Sequence, residues 1–468
     1  MARRNPVVQM GEIVVRGGTL VDETGERRGD VLVRDGRIIA VEEVIDAPRG
    51  ATVLDAGGCV VAPGLVDLHA HLREPGGEIA ETVESGSRAA ALGGYTAVVA
   101  MPNTEPAIDS AAVARDVLAL GEAALAEIAV AGAITIGRRG ERLVPMAELA
   151  ALGVRLFTDD GRGVQHAGLM RRALEYASGL GVVLAQHCED EQLAAGGHMN
   201  EGAWSSRLGI AGQPALAEEA MLARDLALVR LTGAPMHFLH LSTAGSIEMV
   251  RRAKAGGLAV TAEVTPHHLA LCDAAVAGFD PVYKVNPPLR TALDVAAVRE
   301  GVVDGVVDAI ATDHAPHAPE RKEDPFDEAP AGMLGLETAL SVAYSALCAS
   351  PEERDDGAGA GWVQRGAGAP LSMQDLFGLF SWRPARIAGL DQDGRGGAGS
   401  LGGQGGPLRP GAAANLTVFD PSLEWVVDPS RQASRSRNTP YAGRRLTGKV
   451  RHTVFVGEVV VLDAASQR

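Results

Sequence analysis

The sequence predicts an α/β protein, a TIM-like (β/α)8 barrel carrying a small β-sandwich domain built from both chain ends. Three observations predict it. The middle of the chain alternates short apolar runs with helix-like stretches, the pattern of a parallel sheet with crossover helices. Eight strand-like runs fall within roughly 250 residues, the usual size of such a barrel. The two ends share a different texture, with side chains alternating in period two between Gly and Asp turns.

Taken in order, residues 1–62 hold the first part of the small β domain, with runs EIVVRGGTLVD, GDVLVRDGRIIAVEE and ATVLDAGGCVVAPG. Residues 63–390 form the expected barrel, with strands at 65–71, 95–101, 128–134, 153–158, 181–187, 235–241, 258–265 and 308–313. Helix-like segments such as AAVARDVLALGEAALAE and ALAEEAMLARDLALVRLTG stand between them. An open doubly wound sheet is the structural rival, but no GxGxxG follows the first strand. Residues 408–468 complete the small domain through NLTVFDPSLEWVV and GKVRHTVFVGEVVVLD. The Gly-rich stretches 351–370 and 391–410 read as flexible insertions without chemistry.

A net charge of −16 argues against nucleic acid or an anionic membrane as partner. It also means that an anionic substrate would need cations concentrated locally. Cys59, Cys188, Cys272 and Cys348 are widely spaced and contain no CxxC pair, so they are expected as reduced, buried thiols. The start MARRNPVVQM lacks the apolar stretch of a signal peptide, and no run of apolar residues is long enough to span a bilayer. A cytoplasmic protein is expected.

The strongest local signal is PGLVDLHAHLREPG, residues 63–76. In a regular strand His69 and His71 share a face with Asp67, while Val66, Leu68 and Ala70 turn the other way, against the surrounding helices. Two imidazoles on one face at a strand end suit a metal ion. His187 ends GVVLAQH, His240 ends PMHFLH and Asp313 ends DAIATD, while Asp159 and Asp160 follow GVRLFT. All therefore fall at C-terminal strand ends, where barrels of this kind keep their active sites. Four histidines and several carboxylates converging there suit one or two Zn2+ ions, with a carboxylate bridging a pair.

These residues lie in a wider set of motifs: MPNTEP (101–106), FTDDG (157–161), QHCED (186–190), EVTPHHL (263–269), KVNPPLR (284–290), ATDHAPH (311–317) and GMLGLET (332–338). With PGLVDLHAHLREPG they resemble the dihydroorotases of the bacterial long-chain type, within the amidohydrolase superfamily, over essentially the whole chain. The resemblance implies His69, His71, His187, His240 and Asp313 as metal ligands. Relatives such as hydantoinases bridge their metals with a carboxylated lysine after the fourth strand, and this chain has no lysine before Lys254. The resembling group uses an aspartate of a DDG turn, which favours Asp160 over Asp159 by its spacing to His187. The same resemblance puts Arg73 on a substrate carboxylate, helped by Asn103 and His317. Asn286 and the backbone at Ala331 and Gly332 would hold the ring edge, although the family more often has Phe at the position of Ala331. His267 and His268 are expected to be structural or to stand behind the ligands, and Cys188 to belong to the core.

The implied activity is reversible opening of (S)-dihydroorotate to N-carbamoyl-L-aspartate in pyrimidine synthesis. Asp313 would carry the proton from the attacking water to the departing ring nitrogen. Opening the ring creates a carboxylate and releases a proton, so closure gains ground as pH falls. A hydrolase of other cyclic amides, hydantoinase- or allantoinase-like, is the enzymatic alternative; an inactive structural partner of aspartate carbamoyltransferase is another. The expected partners are the small-molecule substrate, further copies of the chain, and aspartate carbamoyltransferase.

Overall fold

The computed structural model describes residues 11–349, 361–363, 370–392 and 403–467. All eight predicted central strands are present, shorter than their apolar runs. Leu65–Ala70, Tyr95–Ala100 and Glu127–Val130 pair in parallel as one sheet. Leu156–Phe157, Val183–Gln186, Met236–Phe238, Val260–Val264 and Ala309–Ile310 form a second parallel sheet, neighbours in that order. Single parallel bridges join the two sheets at both margins, Gly132 to Phe157 and Ala70 to His314. They are made by Gly132 N donating to Leu156 O at 3.0 Å and His71 N to His314 O at 2.8 Å.

Helices follow from caps as well as from apolar periodicity. Thr82 and Ser85 form a capping box ahead of Val83–Leu92, and Thr291 with Asp294 does so ahead of Ala292–Val303. Ala215–Thr232 stops at Gly233, whose φ of 70° is the left-handed conformation that ends a helix at little strain. The helices pack through Leu169, Leu174, Leu222, Val250 and Val298 onto Val98, Ile128, Leu184, Phe238 and Val264 of the strands. Fully burying one such side chain stabilises by roughly 1.5–3 kcal/mol.

The first central strand departs from the expected alternation. Its pairing with Tyr95–Ala100 shifts register between Asp67 and Ala70. Val66 and Leu68 lie apart from the cluster that packs Leu65 and Ala70 against the helices between the strands. They join an Ala-rich cluster with Ala97, Ala131, Ala185 and Ala311 of the other strands and with Ala385 and Ala388 of helix Trp382–Ala388. Asp67 is turned away from the histidines, accepting from Thr312 N at 2.9 Å and from Thr312 Oγ1. The irregularity lets His69 face the strand ends while Asp67 does not, and period two fails at that point.

Both chain ends share one nine-stranded sheet. Leu416–Val426 pairs antiparallel with Val60–Pro63, from Leu416 opposite Pro63 to Phe419 opposite Val60. Arg445–Phe455 and Glu458–Leu462 continue the sheet on one side; Ile13–Asp22, Gly25–Arg34 and Arg37–Glu42 continue it on the other. Its core holds Ile13, Val31, Ile38, Leu54, Val61, Leu416 and Val454. Most of the Gly-rich stretches 351–370 and 391–410 lies outside the described residues. The described end of the second is not a loose insertion: Gln404 and Leu408 are buried, and Gln404 bonds Thr96 and Glu127. Composition misled there, because one buried amide can anchor a Gly-rich segment.

Candidate metal centre

Six residues from five strand ends converge. His69 lies within the first central strand and His71 just beyond it; Asp160, His187, His240 and Asp313 each follow a later strand. All six are buried. Asp160 stands between two pairs of imidazoles. Its Oδ2 is 3.4 Å from His69 Nε2 and 3.6 Å from His71 Nε2; its Oδ1 is 3.6 Å from His187 Nδ1 and 3.5 Å from His240 Nε2. Asp313 Oδ1 is 3.1 Å from His71 Nε2 and 3.5 Å from His69 Nε2.

Most of these separations are too long for good hydrogen bonds. They match the spacing of about 3.4 Å between donor atoms set tetrahedrally around an ion at about 2.1 Å. Three buried atoms in the cluster, His69 Nε2, Asp160 Oδ1 and His240 Nδ1, have no hydrogen-bond partner among the described residues. Buried polar atoms rarely stay unsatisfied, so the donor set fits metal ions on both sides of Asp160. Two groups of potential ligands emerge, His69–His71–Asp160 and Asp160–His187–His240, with Asp160 common to both.

Burial works to raise the Asp160 carboxyl, but the charge of His69 and the facing ring nitrogens of His187, His240 and His69 hold it well below its ordinary range. Asp313 is held low in the same way, by His71 and His69. His187 is pushed up to about 10: burial opposes its charge, and Asp160 and Glu189 outweigh that. The site is therefore carboxylate-rich and demands positive charge. Asp159 is not part of it. Its carboxylate accepts from Ile134 N at 2.8 Å, Thr135 N at 3.0 Å and Thr135 Oγ1, anchoring the preceding loop.

A cavity of about 230 Å3 opens above the cluster, lined by Arg73, Asn103, Asn286, His317, Ala331 and Gly332 together with five of the six cluster residues. Every residue expected to meet substrate is thus on its wall. Arg73 Nε donates to Pro316 O at 3.1 Å, while its terminal nitrogens make no hydrogen bond among the described residues. Asn103 Oδ1 meets His71 Nδ1 at 2.9 Å. His317 Nε2 donates to Ala331 O at 2.7 Å, and burial followed by the Arg73 charge pushes its pKa down to about 3. Gly332 has φ 135°, and a Cβ there would lie 2.7 Å from His317 Nε2. No other residue fits that approach. Arg73, His240 and Asp313 at the site are among the nine described non-glycine residues with positive φ, a conformation that carries strain.

Sequence reasoning missed the residues behind the ligands. Glu263, fully buried, accepts from His69 Nδ1 and His237 Nε2, each at 3.0 Å. Glu189 joins His187 Nε2 at 3.4 Å, Asn286 Nδ2 at 2.8 Å and Gln213 Nε2 at 2.8 Å. Asn438, from the last part of the chain, donates to Ala315 O and Gly332 O and accepts from His317 N. Glu263 and Glu189 stood inside quoted motifs; nothing local marked Asn438. His268 is structural as expected, bonded to Thr265 Oγ1 and Pro287 O, and Cys188 lies in the core.

Solved structures share this fold. The L-hydantoinase (dihydropyrimidinase) from Arthrobacter aurescens matches with a TM-score of 0.81 and 24% identity over 98% of each chain. The D-hydantoinase (dihydropyrimidinase) from Thermus sp. matches at 0.76 and 21%, over 97% of this chain and 96% of that one. Fold and site, taken with the full-length relatives that follow, define a metal-dependent cyclic amidohydrolase. Residues 58–246 match the family model described as dihydro-orotase-like. The dihydroorotase of Pelotomaculum thermopropionicum is 46% identical over 97% of this chain and 99% of its own length. That of Streptomyces coelicolor is 45% identical with the same coverage. The chain belongs to the dihydroorotase family.

Proposed function

We propose that this enzyme reversibly hydrolyses (S)-dihydroorotate to N-carbamoyl-L-aspartate, using Zn2+ held by His69, His71, Asp160, His187, His240 and Asp313. The observation that carries the reading is Asp160, whose two oxygens face two histidine pairs on the floor of a cavity walled by Arg73. When bound, the metal lowers the pKa of water towards neutrality and polarises the amide carbonyl. The chain's own residues do the rest. Arg73 presents a free planar fork to the ring carboxylate, a pairing an ammonium cannot reproduce. Asn103 and His317 flank that carboxylate, while Asn286 and the backbone of Ala331 and Gly332 hold the ring edge. Asp313 takes the proton of the attacking water and gives it to the departing ring nitrogen.

The reading extends to architecture. The two marginal bridges support closure of the parallel strands into a (β/α)8 barrel over 63–390. The shared terminal sheet supports a small β domain, a sandwich, from 1–62 and 408–468. Among the described residues no helix is long and apolar enough to cross a membrane. The deciding experiment is turnover of dihydroorotate by purified protein, with zinc measured on the same sample. An active preparation without metal, or a metal-loaded one inert on dihydroorotate in both directions, would refute the proposal.

A further inference from the structure

Asp313 has a φ of 46°, so its aim into the cavity depends on what pins the backbone around it. The next residue, His314, is buried and tied on every side. Its carbonyl accepts from His71 N at 2.8 Å, and its N–H donates to Thr312 Oγ1 at 3.0 Å. Its ring Nδ1 accepts from Gly335 N at 3.2 Å. That acceptor role fixes the hydrogen on Nε2, which donates to Glu81 Oε2 at 3.2 Å. Glu81 is fully buried just before helix Val83–Leu92. It also accepts from Ser85 Oγ, Ser434 Oγ and Arg435 N, so both oxygens are held by two distant parts of the chain. Neither Glu81 nor His314 touches the cavity described above.

We propose that Glu81 and His314 are a positioning pair that sets the Asp313 carboxylate for proton transfer; this rests on the reading of Asp313 given above. Glu81 fixes the imidazole from below. The imidazole then holds the residue after Asp313 against the 333–336 segment, while its carbonyl stays paired with the backbone of His71. Without that anchor the strained residue relaxes and the carboxylate loses its aim.

Two substitutions separate the two ring bonds. His314→Gln keeps a donor at the ε position for Glu81 and loses the acceptor for Gly335. His314→Asn keeps the acceptor and loses the donor. We expect H314Q to restore most of the parental kcat, while H314N and E81Q lose about a hundredfold in kcat with KM little changed, the effect of a misplacement of about 1 Å. Melting temperature and metal per chain are measured on the same samples, because a merely structural pair would lower stability without lowering kcat per folded, metal-loaded chain. E81Q at parental kcat overturns the inference whatever the His314 variants do, as does H314N outperforming H314Q. Asp313→Ala is run alongside: if it stays active, the reading of Asp313 itself fails, whereas an inert D313A beside a fully active E81Q sinks only the positioning pair.

Discussion

His69 and His71 flank one oxygen of Asp160, and His187 and His240 flank the other, but the two pairs are braced differently. The first pair comes from a single strand and leans on Glu263 and Asn103. Glu263 is itself held by His237, whose other nitrogen meets Thr261 at 2.8 Å. The second pair comes from two strands. His187 leans on Glu189, which also holds Asn286 on the cavity wall, and His240 Nδ1 has no hydrogen-bond partner among the described residues. One side is anchored deep in the protein, and the other shares its anchor with a residue expected to meet substrate. An ion on the first side should be held independently of substrate; one on the second should feel its arrival.

The shared carboxylate is where the comparison breaks most completely. Asp160→Ala should lower kcat by on the order of a thousandfold or more and empty both sides of metal. Asp159→Ala, which only loosens a loop, should keep its metal. Elemental analysis and turnover of both variants decide the matter, and a metal-replete, active D160A would end the two-sided picture.

Arg73 tests whether substrate class is set apart from either pair. Arg73→Met should cost about a hundredfold in kcat/KM for dihydroorotate while hydrolysis of uncharged dihydrouracil changes little. Equal losses on both rings would show that Arg73 merely shapes its loop.

The bracing residues sharpen the contrast. Glu263→Gln and Glu189→Gln should each weaken metal retention about 10- to 100-fold. Competition with a chelator should find the E263Q loss unchanged by added carbamoyl-aspartate, and the E189Q loss altered by it, with a raised KM. Identical behaviour of the two variants would mean the sides are not distinct.

The smallest expected effect lies away from both pairs. Glu337 is pushed up to about 7, chiefly by burial. Its native state therefore holds a proton that the unfolded chain releases near its ordinary, lower value. The resulting stability is complete below about pH 4.5 and is lost as pH rises through 7, on the order of 3 kcal/mol at most. Glu337→Gln should remove that part of the fall in melting temperature between pH 5 and 8, by scanning calorimetry across the range. An unchanged slope would assign the pH dependence elsewhere.

Much of this was legible in the sequence, for identifiable reasons. Each central strand carries an apolar run ending in a candidate ligand or turn residue, so strand positions and the six proposed ligands could be read together. Asp67 could not be read correctly, because a register shift inside one strand overrides alternation and leaves no mark in the residues themselves. Glu263 and Glu189 were visible as letters of motifs, but their roles depend on His69 and His187, brought close only by the fold. The choice between Asp159 and Asp160 came from resemblance; the structure supplies the physical reason, since Asp159 already spends its oxygens on Ile134 and Thr135.

Asn438, which clasps Ala315, Gly332 and His317, comes 125 residues after Asp313 in the chain. A ribosome making this chain therefore completes all six proposed ligands long before it completes the pocket above them. A nascent or prematurely ended product carries the histidines and carboxylates that attract metal, yet lacks the clasp that shapes the wall for substrate. Assembly of the metal-binding cluster and completion of the pocket are separated in time during synthesis, and a chain broken before Asn438 should lose the pocket wall while keeping the cluster residues.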